Sequence, residues 1–224
     1  MAFRKKGHNA FSCDIADCYG DHPEWHIKDD CQNILLGNCV FKTVGGDEIF
    51  VANWDLIIAH PPCTFLSNVQ APLYDKKKFG NEKVKRRRMN QKKAIDFFRL
   101  FTQLECRWCI ENPPGIMNVI FRKPDQIIQP FWFGEHATKR TCLWLNGLPA
   151  LRKTKLVTPP EPHKYKNSNS LGEWMYKTSL LPPNERSRAR SKTFEGIANA
   201  MADQWGDESN FTIKTNSIQK TLIF

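Results

Sequence analysis

The residues best suited to chemistry stand at the end of an apolar run. Residues 55–67 read DLIIAHPPCTFLS, a strand-like stretch followed at once by His-Pro-Pro-Cys. Proline lacks a backbone N–H and restricts the residue before it, so the two prolines stop the strand and fix a stiff turn. Cys63 is therefore predicted to face the edge of a sheet, where a thiol is useful as a nucleophile. A buried structural cysteine is the alternative.

A carboxylate ends a second apolar run. Residues 107–112 read RWCIEN, and Pro113-Pro114-Gly115 terminate them. Burying Glu111 is costly unless it has a partner, and burial would raise its pKa. A raised pKa would let Glu111 share a proton with a substrate nitrogen. A capping or salt-bridging role is the alternative for this glutamate.

The elements that must position these residues follow from the hydrophobic pattern. Strands are predicted at residues 8–15, 25–31, 40–44, 48–51, 54–59, 107–112, 126–133 and 141–145, and helices at 84–104 and 193–205. Strands that alternate with helices favour an α/β fold with a doubly wound, mostly parallel sheet. Ligands of such sheets bind beyond the carboxyl ends of the strands. The groups that this arrangement places along one edge are Asp14, Asp29, Asp30, Pro61-Pro62-Cys63 and Glu111-Asn112-Pro113.

Positive charge is concentrated in one segment. The 224 residues include 33 Lys and Arg against 23 Asp and Glu, a net charge of +10. Residues 75–93, DKKKFGNEKVKRRRMNQKK, hold ten of the cations and two of the acids, so they carry +8. Nucleic acid is the natural partner of such a segment, and a solvated helix face is the alternative.

The composition narrows the class of protein. No apolar run approaches the ~20 residues that span a membrane, and no apolar signal core follows the basic N-terminus, so we expect a soluble protein of the cytoplasm.

Residues with a loose ligand-like spacing are Cys13, Cys18, His22 and His26. Cys106 and Cys109 lie in a predicted strand, where residues three apart face opposite sides. We therefore predict no metal site.

Pro-Pro-Cys on one strand and Glu-Asn on the next resemble the carbon-5 cytosine-specific DNA methyltransferases, and more closely a compact phage-encoded branch of them. The matching stretches are IIAHPPCTFLSN, IENP, RKPDQIIQPFWFG, TCLWLNGLPAL and RSKTFEGIANAMADQWG, which span roughly residues 8–206 with gaps. Amino-methyltransferases place an aromatic residue after the prolines, so the cysteine favours attack on a ring carbon. The resemblance implies a Rossmann-like S-adenosylmethionine-dependent methyltransferase fold.

The resemblance also implies a reaction. Cys63 as a thiolate would add to carbon 6 of cytosine, and carbon 5 would then take a methyl group from S-adenosylmethionine. Glu111 would hold the ring at N3 and at its exocyclic amine, and Pro62 and Asn112 belong to the same two catalytic motifs. The target base must be flipped out or single-stranded, because this chemistry cannot reach a stacked base.

Binding residues are implied by the same resemblance. Asp14 would contact the ribose hydroxyls of the cofactor and Asp30 its adenine, and Pro61 and Asn199 are assigned to the same site. In the family, the loop after the cysteine closes over DNA, and a basic motif lies near the target base. The predicted DNA-binding residues are Lys83, Lys85, Arg86, Arg87, Arg88, Lys139 and Arg140.

The chain departs from the family at its beginning. It opens at MAFRKKGH, which matches the end of the family's first helix, so the first, central strand and its Gly-containing cofactor loop are missing. Three explanations are open: a truncated start, another segment such as the C-terminal tail that fills the gap, or a remnant protein. Such a remnant would bind DNA without methylating it. The functional alternatives to a DNA methyltransferase are therefore this remnant and a methyltransferase that acts on RNA or a nucleotide.

The domain organisation is predicted as one core with appendages. Residues 1–145 form the catalytic α/β core, and 146–192 form a short irregular segment that would be a reduced target-recognition region. Residues 193–206 form a helix that completes the core, and 207–224 form a C-terminal tail.

Overall fold

A seven-stranded sheet forms the centre of the computed structural model, which describes residues 1–18, 20–161 and 173–206 and the backbone of 220–223. The strands are β1 (Asn9–Asp14), β2 (His26–Lys28), β3 (Cys39–Lys42), β4 (Glu48–Val51), β5 (Leu56–Ala59), β6 (Arg107–Asn112), β7 (Gln126–Ile128), β8 (Thr141–Asn146) and β9 (Lys220–Ile223). The helices are α1 (Ala2–Lys5), α2 (Lys76–Phe79), α3 (Asn81–Phe101), α4 (Met117–Ile120), α5 (Glu173–Ser179), α6 (Pro183–Ser191) and α7 (Glu195–Trp205). Strands β3 and β4 form a separate antiparallel pair, the predicted hairpin.

The order of strands across the large sheet is β2-β1-β9-β5-β6-β8-β7. The first five of these run parallel, whereas β8 is antiparallel to both of its neighbours. The predicted α/β class is therefore confirmed, with a mixed sheet whose larger part is parallel. Because the parallel strands all end at one edge, the segments that follow them meet there.

Helices cover both faces of this sheet, because successive residues of a strand face opposite sides. On one face Ile57 of β5 packs in a cluster with Phe98 and Phe101 of α3. On the other face Leu56 packs in a cluster with Met201 of α7. Both predicted helices thus bury their apolar stripes against the sheet. Within the described ranges, none of the helices has the length and apolar character that a membrane crossing requires.

The C-terminal strand β9 lies in the middle of the sheet, between β1 and β5. Thr221 is the register partner of Ala10 on one side and of Leu56 on the other. The prediction of a tail over 207–224 is therefore wrong for Lys220–Ile223, while 207–219 and residue 224 lie outside the described residues. This placement agrees with the explanation in which the C-terminal segment fills the gap left by the missing first strand.

The segment 146–192 contains two helices where an irregular stretch was predicted, although 162–172 lie outside the described residues. Helix α6 has no buried residue, so it carries no apolar stripe for a sequence pattern to reveal. Polar contacts hold it instead. Arg190 donates from Nε to Thr178 Oγ1 at 2.9 Å and from Nη2 to the Met175 carbonyl at 3.1 Å. The Arg190 side chain thereby connects α6 to α5.

Candidate active site

One edge of the sheet collects most of the predicted site residues. Strands β1, β2, β5 and β6 end at this edge, and the antiparallel β8 begins there. The predicted residues at these strand termini are Asp14, Asp30, Pro61, Pro62, Cys63, Glu111, Asn112, Lys139 and Arg140. Asn199 is exposed on α7, which covers a face of the sheet.

Hydrogen bonds fix the turn that carries Cys63. The Cys63 carbonyl accepts from the N–H groups of Leu66 at 3.1 Å and Ser67 at 3.0 Å. Asn112 is buried, and its Nδ2 donates to the Pro61 carbonyl at 2.6 Å. This bond ties the end of β6 to the turn after β5. Asn112 is therefore a positioning residue for the Cys63 turn.

The turn after β6 packs against the same segment and requires a glycine. Asn68 N–H donates to the Pro114 carbonyl at 3.0 Å, and Ile116 N–H donates to the Leu66 carbonyl at 2.9 Å. A Cβ atom on Gly115 would lie 2.1 Å from the Leu66 carbonyl oxygen, far inside van der Waals contact. Any larger residue would force the two turns apart.

Glu111 lies between His60 and Lys139. Its Oε2 is 3.0 Å from His60 Nδ1, and its Oε1 is 3.8 Å from Lys139 Nζ. The Glu111 side chain is 11% exposed, so both interactions act with little screening by solvent. The site therefore has a carboxylate whose two oxygens have unequal partners, one at hydrogen-bond distance and one farther away.

The predicted direction of the Glu111 pKa is wrong. Burial is the largest single influence and raises this pKa, as the sequence predicted. The charge and hydrogen bond of His60, together with the charge of Lys139, outweigh burial and lower the pKa to about 2. Glu111 is therefore ionised in the free protein, and a base in the site would meet a carboxylate.

The Cys63 thiol is poised differently from the structural cysteines. Cys63 is exposed, yet partial desolvation of its thiol raises the pKa, and Glu111 raises it further, while the Lys139 and Arg190 cations lower it. In contrast, burial raises the pKa of Cys13 to about 12. Among the residues that the structure describes, no cluster of three or more His, Cys, Asp or Glu could hold a metal ion.

Lys139 connects the site to the two helices that sequence reasoning missed. Its Nζ donates to the Arg190 carbonyl of α6 at 3.3 Å and lies 5.9 Å from the ring centroid of Trp174 on α5. His60 was missed as well, although a register signal could have found it. Ala59 pairs with Ile110 in the parallel ladder, so the next residues, His60 and Glu111, fall side by side.

The basic helix α3 holds the segment that follows Cys63. Arg87 Nη2 donates to the Thr64 carbonyl at 2.8 Å and to Gln70 Oε1 at 3.0 Å. The Arg87 guanidinium also lies over the rings of Phe65 and Tyr74, 5.1 and 5.0 Å from their centroids. Arg87, predicted to bind nucleic acid, thus has a structural role on the inner side of the helix.

The neighbouring arginines and lysines of α3 face outward. Those that are exposed among the predicted DNA-binding residues are Lys83, Lys85, Arg86 and Arg88, together with Arg140 before β8. Arg88 lies over the Tyr74 ring at 5.5 Å, so one outward cation still contacts the segment after Cys63. The exposed cations agree with either reading of the charge run, a nucleic-acid-binding face or a solvated helix face, whereas the inward Arg87 fits neither.

The ends of β1 and β2 offer groups that suit a nucleoside. Asp14 and Asp30 are exposed, and the N–H groups of Ala16 at 2.9 Å and Gln32 at 3.0 Å orient their carboxylates. Asp29 N–H donates to the Asp14 carbonyl at 3.2 Å, which joins the two strand ends. Two carboxylates are thereby available beside the central strand.

A cleft of about 520 Å³ lies between α3, the turn that carries Cys63 and the segment after β2. Its lining includes Gln32, Pro62, Phe65, Phe97 and Leu100. Apolar and aromatic walls with a few polar groups suit a flat heterocycle. The lining therefore suits a flat heterocycle, whereas Asp14 and Asp30 are not among the residues that line the cleft.

Acid is expected to destabilise the protein through Glu111. A carboxylate whose pKa falls on folding stabilises the fold above its unfolded pKa of about 4.3, and this contribution is lost as the pH falls toward the folded value of about 2. Between neutral pH and about pH 3, urea unfolding should show about 2 kcal/mol more loss of stability in the wild type than in Glu111→Gln. Equal losses in the two proteins would contradict the ion pairing of Glu111.

Sequence comparison assigns the chain to no family: no family model matches it, and neither does any curated protein. The geometry of the site and the motifs that form it are the basis for a functional proposal.

Proposed function

We propose that the protein is a DNA (cytosine-5-)-methyltransferase that works through a covalent Cys63 intermediate. One observation carries the proposal. Cys63 and Glu111 come from neighbouring parallel strands and meet at the ligand-binding edge of an α/β sheet, where Asn112 and Gly115 lock their two turns together. A proline-stiffened thiol beside an ionised carboxylate suits attack on an electron-poor ring. The thiol after the prolines favours methylation at a ring carbon over methylation of an exocyclic amine.

The chain's own residues account for base activation. The Cys63 thiolate adds to carbon 6 of cytosine, and the electrons of the 5,6 double bond move to carbon 5. As Cys63 adds, N3 takes up a proton from water, and the Glu111 carboxylate accepts hydrogen bonds from this N3–H and from the exocyclic amine, which stabilises the negative charge that leaves carbon 6. The Lys139 and Arg190 cations favour the thiolate form of Cys63. After loss of the carbon-5 proton, Cys63 leaves and the double bond re-forms.

Asp14 and Asp30 would hold the nucleoside of S-adenosylmethionine, with Pro61 and Pro62 forming the nearby turn. When bound, this cofactor supplies an electrophilic methyl group. The strand β9, which lies between the ends of β1 and β5, supports the proposal because the resemblance requires a central strand at this point.

DNA is proposed as the substrate because exposed cations lie beside the nucleophile turn. Arg86 and Arg88 are exposed beside the loop that Arg87 holds, so they are accessible to phosphates. The target base would have to leave its stack to reach Cys63. Arg140 extends the basic surface to the other side of the site.

The direct test measures methyl transfer. We expect DNA incubated with the protein and methyl-labelled S-adenosylmethionine to gain 5-methylcytosine, identified by mass spectrometry of its nucleosides. DNA retention without methylation, and without heat of S-adenosylmethionine binding in calorimetry, would favour the alternative of a DNA-binding remnant.

Charge-reversal variants test the substrate class through DNA binding and through activity. Reversing charge at Arg86 and Arg88 together should weaken DNA binding at least tenfold and flatten its salt dependence, because two phosphate contacts are lost. Lys42→Glu, on the exposed side of β3, is the control and should have little effect. Methylation of a free cytidine nucleotide that is unchanged by the double reversal, with no methylation of DNA, would favour a free nucleotide as the substrate.

A further inference from the structure

His60 occupies a place that the base-activation chemistry does not by itself explain. It follows β5 at the position beside Glu111, one step past the Ala59–Ile110 register pair. Its Nδ1 lies 3.0 Å from Glu111 Oε2, and its side chain is 24% exposed. The contact is therefore partly shielded and sits at the edge where ligands are expected.

The two oxygens of Glu111 are not equivalent in this arrangement. Oε2 has a partner at hydrogen-bond distance, whereas Lys139 Nζ is 3.8 Å from Oε1. Lys139 also donates to the Arg190 carbonyl at 3.3 Å, so it can withdraw from Oε1 without losing its other partner. A base entering the site can therefore replace Lys139 at Oε1 while His60 keeps Oε2.

A purely structural ion pair explains these contacts less well. Burying an ion pair gains little net stability, since desolvation offsets the attraction. The chain also uses an open His–Glu pair elsewhere, since His22 Nδ1 lies 2.9 Å from Glu24 Oε1 on the exposed surface. Among the described residues, Glu173 also has a histidine on one oxygen and Lys177 on the other, but that group is exposed. The His60–Glu111 pair is partly shielded and has the cysteine turn beside it.

We propose that His60 is a positioning residue that holds Oε2 of Glu111, so that Oε1 is the oxygen presented to the cytosine. One carboxylate oxygen has lone pairs for two donors, and these accept from the exocyclic amine and from the protonated N3. Without His60, the carboxylate would turn toward Lys139 and close the place of the base. This inference rests on the proposed function.

The experiment reads base activation without a methyl donor. Addition of the Cys63 thiolate to carbon 6 puts an electron pair on carbon 5, which takes a proton from water. Loss of the original carbon-5 hydrogen as a proton, followed by departure of the thiolate, returns cytosine. DNA labelled with tritium at carbon 5 of cytosine therefore releases tritium to water, and this rate gives kcat and KM for each variant.

His60→Ala is expected to lower kcat for exchange on the order of 10²-fold while KM changes less than about threefold, because binding remains but orientation is lost. His60→Asn should recover most of the rate, since its Nδ2–H lies where Nδ1–H was. His22→Ala, which breaks the matched surface pair, should leave both constants unchanged. Near-UV circular dichroism checks that each variant is folded.

The outcomes separate this inference from the proposed function. No exchange and no covalent adduct in the wild type would overturn both. Exchange in the wild type with an unchanged kcat in His60→Ala would overturn only the role of His60. A variant His60→Asn as slow as His60→Ala, or a rise in KM at constant kcat, would also overturn it, because neither result fits a hydrogen bond that orients Glu111.

Discussion

Replacing Cys63 by serine is expected to abolish the covalent complex with DNA that carries 5-fluorocytosine. In the wild type, with S-adenosylmethionine present, fluorine at carbon 5 blocks the final elimination, so Cys63 should remain bonded to carbon 6. The complex should survive denaturation and migrate as a larger species in gel electrophoresis. A serine hydroxyl ionises far less readily than a thiol, so it cannot replace the nucleophile. The expected loss is complete within detection.

A matched cysteine tests the specificity of this result. Cys39 lies on β3 outside the large sheet and is partly exposed, so Cys39→Ser should form the complex at the wild-type level. A complex that persists in Cys63→Ser would assign the chemistry to another nucleophile. If the wild-type protein exchanges the carbon-5 hydrogen but forms no complex, it activates the base without transferring a methyl group to it. That combination would favour the remnant over the methyltransferase.

The composition of the site edge could be predicted from the sequence because each part is local. Two prolines end a strand wherever they stand, and Glu111 followed by Asn112 and Pro113 marks the end of the next strand. The parallel arrangement then requires these ends to meet. The paired turns, with Gly115 against the Leu66 carbonyl, show that the Pro-Pro-Gly sequence has a steric purpose as well as a terminating one.

The electrostatics of the site could not be predicted in the same way. Burial alone predicts a raised pKa for Glu111, and that influence is present. Its sign is reversed by His60 from another strand and by Lys139 from the approach to β8, which only the folded register brings together. The sign of a pKa shift depends on such nonlocal partners when burial and charge compete.

The basic segment shows a similar limit. Charge counts treat Arg86, Arg87 and Arg88 as equal, whereas the helix turns one of them inward. Arg87 faces the Thr64 carbonyl and two aromatic rings, and its neighbours face solvent. A three-residue run on a helix covers most of its circumference, so only the packing of α3 decides which arginine becomes structural.

The largest feature of the fold that could not be predicted from the sequence is the position of β9 in the sheet. The end of the chain reads QKTLIF, and β-branched and apolar residues indicate a strand without saying where it pairs. Pairing with β1 and β5 spans nearly the whole length of the chain, and no local pattern encodes so distant a partner. The central place of β9 therefore follows only from the gap between those two strands.

Removal of residues 219–224 is expected to abolish cooperative folding. Without β9, the facing edges of β1 and β5 would be about 10 Å apart, twice the normal strand spacing, with unpaired backbone groups on both. Leu56, Ile57 and Ile58 are almost completely buried, so water could satisfy those groups only by opening the core. Each unsatisfied group costs about 1–3 kcal/mol, and several together approach the roughly 5–15 kcal/mol that stabilises a typical domain.

A point substitution makes the same test less drastic. Leu222 is the register partner of Phe11 and of Ile57, and Leu222→Pro removes a backbone N–H from the centre of the sheet. We expect a loss of about 3 kcal/mol or more in urea unfolding, whereas Leu222→Val should stay within about 1 kcal/mol of the wild type, because valine suits a strand. A truncated protein that kept the wild-type melting temperature would contradict the central place of β9. That result would also remove the support that β9 gives to the proposed cofactor site, because the carboxyl ends of β1 and β5 would then have no strand between them.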